Sequence, residues 1–168
     1  MKNHLKKLAI AIIALTMCLA AHAQKKGDMT AGVHLALGIG SNSGVSYTNI
    51  GIGAKFLYNV NDPIRLEGSF TYFLERDFIS MWDFSLNGNY LIPIVEHVAI
   101  YPLIGMGLFG TKKDYGLGSI TDSNICVNLG AGIDFKLTDQ FIFNAELKNK
   151  FVNNWNRLIL SAGITYKF

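Results

Sequence analysis

Four histidines and two cysteines are the residues of this 168-residue chain best suited to acid–base or nucleophilic chemistry. Acyl transfer needs a His as proton carrier beside a Ser and an acid, placed where substrate arrives. His4 and His22 fall in an N-terminal segment that reads as a removable leader. His34 sits within "TAGVHLALG", on the small and polar side of an alternating run, where a core hydrogen bond accounts for it. His97 closes the turn-like sequence "IVEH". Cys18 leaves with the leader, so Cys126 stands alone, and neither a disulfide framework nor metal-ligand spacing exists. The expectation is a protein without catalytic residues, metal or cofactor.

A second set of residues could do electrostatic work. Lys55, Arg65, Glu67, Asp83, Asp134, Glu146, Lys148 and Arg157 all fall on the polar side of stretches with a two-residue period. On a water-facing surface such charges need no explanation. They become an interior network if the apolar side of the same stretches faces outward. The elements that carry them decide between these two readings.

The leader is set aside first. "MKNHLKK" is a basic start, "LAIAIIALTMCLA" an apolar run too short to span a bilayer, and "AHA" a small-residue cleavage site. Residues 1–23 are expected to be a signal peptide, and 24–168 a single domain. The whole chain carries 15 basic and 12 acidic residues. Lys2, Lys6 and Lys7 go with the leader, which leaves 12 against 12. A neutral mature chain has no basic footprint for nucleic acid.

Alternation dominates what remains. In "NICVNLGAGIDFKL", Ile125, Val127, Leu129, Ala131, Ile133, Phe135 and Leu137 share one face, and Asn124, Cys126, Asn128, Asp134 and Lys136 the other. The pattern recurs eight times and predicts strands at about 29–39, 48–60, 63–74, 80–92, 97–110, 123–137, 140–151 and 155–168. Pro102 cannot donate to a ladder and belongs near a strand start or a bulge. "VNDP", "IVEH" and "LTDQ" read as tight turns. The alternate connections, "GSNSGVSYTN", "ERDFIS", "GTKKDYGLGSITDS" and "VNNW", read as longer polar loops. The loop 110–123 offers Lys112, Lys113, Asp114 and Tyr115 to a partner. With the turn after Val60 centred near Asn61, Lys55 and Glu67 come opposite one another.

Three features orient the faces. The predicted strands are long enough to cross an apolar band when tilted. Aromatic residues on the apolar face gather in two groups. Phe56, Tyr58, Tyr90, Phe135, Phe141, Tyr166 and Phe168 lie toward the tight turns; Phe70, Tyr72, Trp82, Phe84, Phe151 and Trp155 lie toward the loops. Glycines crowd the polar face, among them Gly32, Gly38, Gly53, Gly130, Gly132 and Gly163, and would make room for large neighbours inside a narrow barrel. The fold class expected is all-β, an eight-stranded antiparallel up-and-down transmembrane β-barrel.

The last stretch, "SAGITYKF", is specific. Ser161, Gly163, Tyr166 and Phe168 match the recognition strand of outer-membrane barrels: polar, any, glycine, two of any, aromatic, any, aromatic. The chain resembles the small eight-stranded outer-membrane barrels of the OmpX and OmpA-transmembrane-domain type, and "YPLIGMGLFG" looks like the fifth strand of porin-family barrels. The resemblance implies a monomer in the bacterial outer membrane with periplasmic termini and extracellular loops. Its implied partners are the lipid bilayer and, during biogenesis, the barrel-assembly machinery and periplasmic chaperones. It implies a structural or loop-displaying role without catalysis. Alternatives are a small-solute channel, an adhesion or binding barrel, a lipid-modifying barrel enzyme and a soluble periplasmic ligand-binding barrel.

Overall fold

The computed structural model describes residues 26–42, 45–76, 79–114, 119–152 and 155–168. The leader expected at 1–23 lies outside them. Nine elements follow in order: β1 (Met29–Asn42), β2 (Val45–Asn61), β3 (Ile64–Arg76), β4 (Ile79–Tyr90), β5 (Ile92–Val95), β6 (Val98–Asp114), β7 (Ser119–Lys136), β8 (Phe141–Val152) and β9 (Trp155–Lys167). Each pairs antiparallel with the next, except that β4 and β5 both pair with β6, and β1 pairs with β9, so the sheet closes.

The β4 and β5 segments are one wall of the barrel. Both pair with β6 in a single register, Asn89 with Leu103 and Ile92 with Ile100. The break at Leu91 has a local cause. That register sets Tyr90 opposite Pro102, which has no N–H to give. Leu91 instead donates its N–H to the Pro63 carbonyl at 2.8 Å. The barrel therefore has eight walls, as the periodicity predicts.

Burial settles which face points out. Along β7, Ile125, Val127 and Leu129 are 75%, 50% and 53% exposed, while Cys126 and Asn128 are 1% and 0% exposed. The apolar set lines the outside on every long strand, and the polar set is enclosed. A water-soluble barrel with an apolar pocket has the opposite arrangement. Exposed aromatics such as Phe56, Phe135, Phe141 and Tyr166 belong to this outer surface.

Both ends of the described chain meet at the tight-turn rim. Gly27, at φ +89°, bends the chain so that its N–H reaches the Asn59 carbonyl at 2.8 Å. Phe168 donates its N–H to Met29 at 3.1 Å. At the opposite rim the structure corrects the loop assignments. Most of the connection 110–123 is strand, since β6 runs to Asp114 and β7 begins at Ser119. Likewise β1 and β2 continue to Asn42 and from Val45. Once the wall leaves the apolar band, polar residues replace the alternation, while the backbone ladder carries on. Lys112, Lys113 and Asp114 are thus strand residues, and Tyr115 lies outside the described residues.

The parity makes a direct prediction. Leu129→Arg puts a charge on the apolar outer face, at about 2–4 kcal/mol if that position sits at a bilayer midplane. A spin-label scan along 124–136 in detergent or bilayer should show a lipid-soluble quencher reaching the odd positions and missing the even ones. The reverse pattern would contradict this orientation.

Candidate functional site: the packed interior

Among the described residues, strand alternation delivers nine charged side chains to the inside. Lys55, Arg65, Glu67, Asp83, Asp134, Glu146, Lys148, Lys150 and Arg157 are all buried. A buried lone charge is costly, so each needs partners. Lys55 donates to Glu146 at 2.6 Å, and the Lys148 ammonium lies 3.8 Å from the second Glu146 oxygen. The Tyr101 hydroxyl donates to Glu146 at 2.9 Å. Arg65 pairs with Asp134 at 2.5 Å and lies over the Tyr101 ring. Lys150 pairs with Asp83 and also donates to Ser85 at 2.9 Å and to the Cys126 sulfur at 3.3 Å. Glu67 accepts from Asn87 and Asn89, at 3.0 and 3.2 Å.

The pairing corrects one expectation. Glu67 is not the partner of Lys55. The hairpin turns at Asp62 and Pro63, with Asn61 opposite Ile64, so past the bulge between Asn59 and Asn61 Lys55 lies opposite Ser69 and Glu67 opposite Leu57. Lys55 instead crosses the barrel to Glu146 on β8. In so narrow a barrel, inward side chains from facing walls meet directly, and ladder neighbours lose their privilege.

Glycine makes the space for these side chains at specific points. A Cβ on Gly132 would sit 2.3 Å from the Tyr101 ring, and one on Gly38 would sit 2.3 Å from the Arg157 guanidinium. Gly163 shows the same logic within the C-terminal stretch: a Cβ there would lie 2.7 Å from the Cβ of His34. Its neighbour Ser161 is buried, whereas Tyr166 and Phe168 point outward. Tyr166 makes edge contacts with Phe141 at 5.4 Å and Phe168 at 5.6 Å.

The histidines are placed apart. His34 Nε2 shares a hydrogen bond with Thr71 Oγ1 at 2.9 Å inside the barrel. His97 lies at the tight-turn rim, beside a small pocket that reaches Asp134 and Lys136. On that rim Lys136 bonds Asp139 at 2.9 Å and holds its carboxyl below the usual carboxylate range.

Sequence reasoning missed several interior residues. Lys150 shares a face with Glu146 and Lys148, so parity alone would have found it. Tyr101, Phe73, Met81 and Phe109 are apolar or aromatic residues facing inward. They go unseen when each face is sorted by polarity alone.

The model of the family described as outer membrane protein beta-barrel domain matches residues 9–168. No curated protein sequence matches the chain. Among solved structures, the neisserial surface protein A is similar, with 18% identity and a TM-score of 0.76, over 85% of this chain and 100% of that one. Ail, the attachment invasion locus protein of Yersinia pestis, has 22% identity and a TM-score of 0.67, over 85% and 99%. The N-terminal barrel domain of Pseudomonas aeruginosa OprF has 16% identity and a TM-score of 0.66, over 86% and 100%. At these identities the likeness is one of fold.

The Lys55–Glu146 contact is testable by a double-mutant cycle in detergent, read by urea unfolding. Glu146→Gln leaves Lys55 short of its partner and should cost about 3–5 kcal/mol. Adding Lys55→Met should return part of that loss. Strict additivity would contradict the assigned pair.

Proposed function

Because the chain belongs to the outer membrane protein beta-barrel domain family, we propose that it is a non-enzymatic, integral protein of the bacterial outer membrane that displays its long hairpins at the cell surface and holds no open channel. Residues 1–23 are its leader and 24–168 its one barrel domain. The tight turns and both termini face the periplasm. The observation that carries this reading is the filled interior. Nine charged side chains, with Tyr101, Asn87 and Asn128 among them, occupy the space an aqueous pore would need. His34, the one inward histidine among the described residues, is engaged with Thr71, which speaks against a lipid-modifying enzyme.

A binding or adhesion role is the second reading, and the hairpins favour it. Among the described residues the β1–β2 ladder runs on to Asn42 opposite Val45, past Gly51 opposite Phe73 in the β2–β3 ladder. The β6–β7 ladder likewise runs on to Asp114 opposite Ser119, past Cys126 opposite Val152 in the β7–β8 ladder. Two hairpins thereby project at one rim and present surface to a partner. One similar structure belongs to a protein named for attachment and invasion.

The proposal includes an assembly signal. Ser161, Gly163, Tyr166 and Phe168 are read by the barrel-assembly machinery, delivered by periplasmic chaperones, before β9 pairs with β1. The finished barrel is a monomer in the lipid bilayer.

Two measurements test these points. Phe168→Asp should lower the yield of heat-modifiable barrel in outer membranes far more than removal of Lys25 and Lys26; equal yields would remove the signal. In planar bilayers the purified protein should pass no large, stable current, and a reproducible wide-pore current would favour a channel instead.

A further inference from the structure

Beyond the ion-paired column, toward the long hairpins, an apolar layer takes over. Phe73 of β3, Met81 of β4, Phe109 of β6, Cys126 of β7, Val152 of β8 and Ile159 of β9 form one buried cluster. Ala36 of β1 joins it. The β2 wall contributes Gly51, which lies opposite Ala36 in one ladder and Phe73 in the other. The Phe73 ring fills the room a side chain there would need, 2.8 Å from the place of its Cβ. All eight walls thus meet in the layer. The other buried apolar group, Leu91, Tyr101 and Leu103, draws on two adjacent walls only and does not cross the barrel.

Arg157 caps this layer. Its guanidinium lies 4.4 Å from the Phe73 ring centre and 5.4 Å from that of Phe109, and it donates to the Met81 sulfur and to Asn49. Among the described residues no carboxylate pairs with it. The tight-turn end differs. There a small pocket reaches Asp134, the first member of the charged column.

We propose that this apolar layer, and not the ion-paired column, is the permeability seal of the barrel. The inference rests on the closed-barrel reading above and locates the closure. Ion-paired side chains tolerate water between them, since every group there bonds water as readily as its partner. A packed apolar constriction offers water no polar partner and stops ions by staying dry. Once breached, the barrel would favour anions, because among the described residues five buried cations face four buried carboxylates.

The test uses the full-length protein with Cys18→Ser, folded in planar bilayers and checked by heat modifiability. The parent should be electrically silent. Its Cys126 should resist a charged, water-soluble thiosulfonate. Phe73→Ala with Phe109→Ala should give discrete, anion-favouring current steps and speed Cys126 labelling by about tenfold or more. Lys55→Met with Glu146→Gln should stay silent. A folded Phe73/Phe109 variant that remains silent and unlabelled overturns the proposal, as does a current from the Lys55/Glu146 variant alone. A stable current from the parent would instead defeat the closed-barrel reading itself. Should the double variant not fold, Phe109→Leu and the parent's labelling decide. Parent Cys126 that reacts as fast as an exposed thiol overturns the seal.

Discussion

A strand in hydrocarbon has no water to satisfy its N–H and C=O groups, so every one of them must find a partner within the protein. The β1–β9 ladder meets that demand. It runs from Thr30 opposite Lys167 to Gly40 opposite Arg157, and it leaves the lipid-facing sheet without an edge. Everything else follows from closing the sheet with eight walls. Outward positions become apolar because they meet lipid tails. Inward positions are then forced into a space little wider than their own side chains. The last residues of the chain take part directly, since Lys167 pairs with Asp28 and Phe168 bonds Met29. The same strand that closes the wall thus also ties the two ends of the domain together.

That confinement inverts the usual energetics of a core. Burying apolar surface against lipid gives little, so the exterior cannot drive unique packing as it does in water. The interior has to supply specificity, and it does so with directional contacts. Glu146 gathers Lys55, Lys148 and Tyr101 from three other positions on the wall. Lys150 binds Asp83, Ser85 and Cys126 together. Such clusters are satisfied only in one register, because a slip of one residue would send every charge to the lipid side. Their cost in desolvation is offset by this selectivity and by the hydrogen bonds that surround each carboxylate.

Local periodicity reveals the eight walls, and it places most of their ends at the tight-turn rim to within about a residue. Parity along 124–137 and 155–168 depends on lipid on one side and a polar interior on the other, and that contrast is written in each strand alone. Two things are not written there. The hairpin tips lose alternation where they leave the apolar band, so Thr111–Asp114 and Ser119–Ser123 read as loop while remaining strand. Contacts across the barrel depend on shear, which adjacent sequence does not encode. Hence the sequence suggests Glu67 for Lys55, while the turn at Asp62 and Pro63 and the closure of the barrel deliver Glu146. His34 was legible as an interior hydrogen-bonder because its position on the small, polar face allowed little else.

The inward apolar residues carry the last step. Phe73, Met81 and Phe109 break the rule that inside is polar, and all three lie beyond the charged column toward the long hairpins. Polar groups at that level would need partners from walls that the column has already used. Aromatic rings need none, and they bring a second benefit. Their faces stabilise a cation without a carboxylate, at about 0.5–2 kcal/mol per contact depending on desolvation. Arg157 over Phe73 and Phe109 is that cation. Among the described residues five interior cations stand against four interior carboxylates, and the cation without a carboxylate sits where ring faces replace that charge. The apolar layer and the odd arginine are two sides of one arrangement: the ion-paired column ends at Asp83 and Lys150, and the rings begin there.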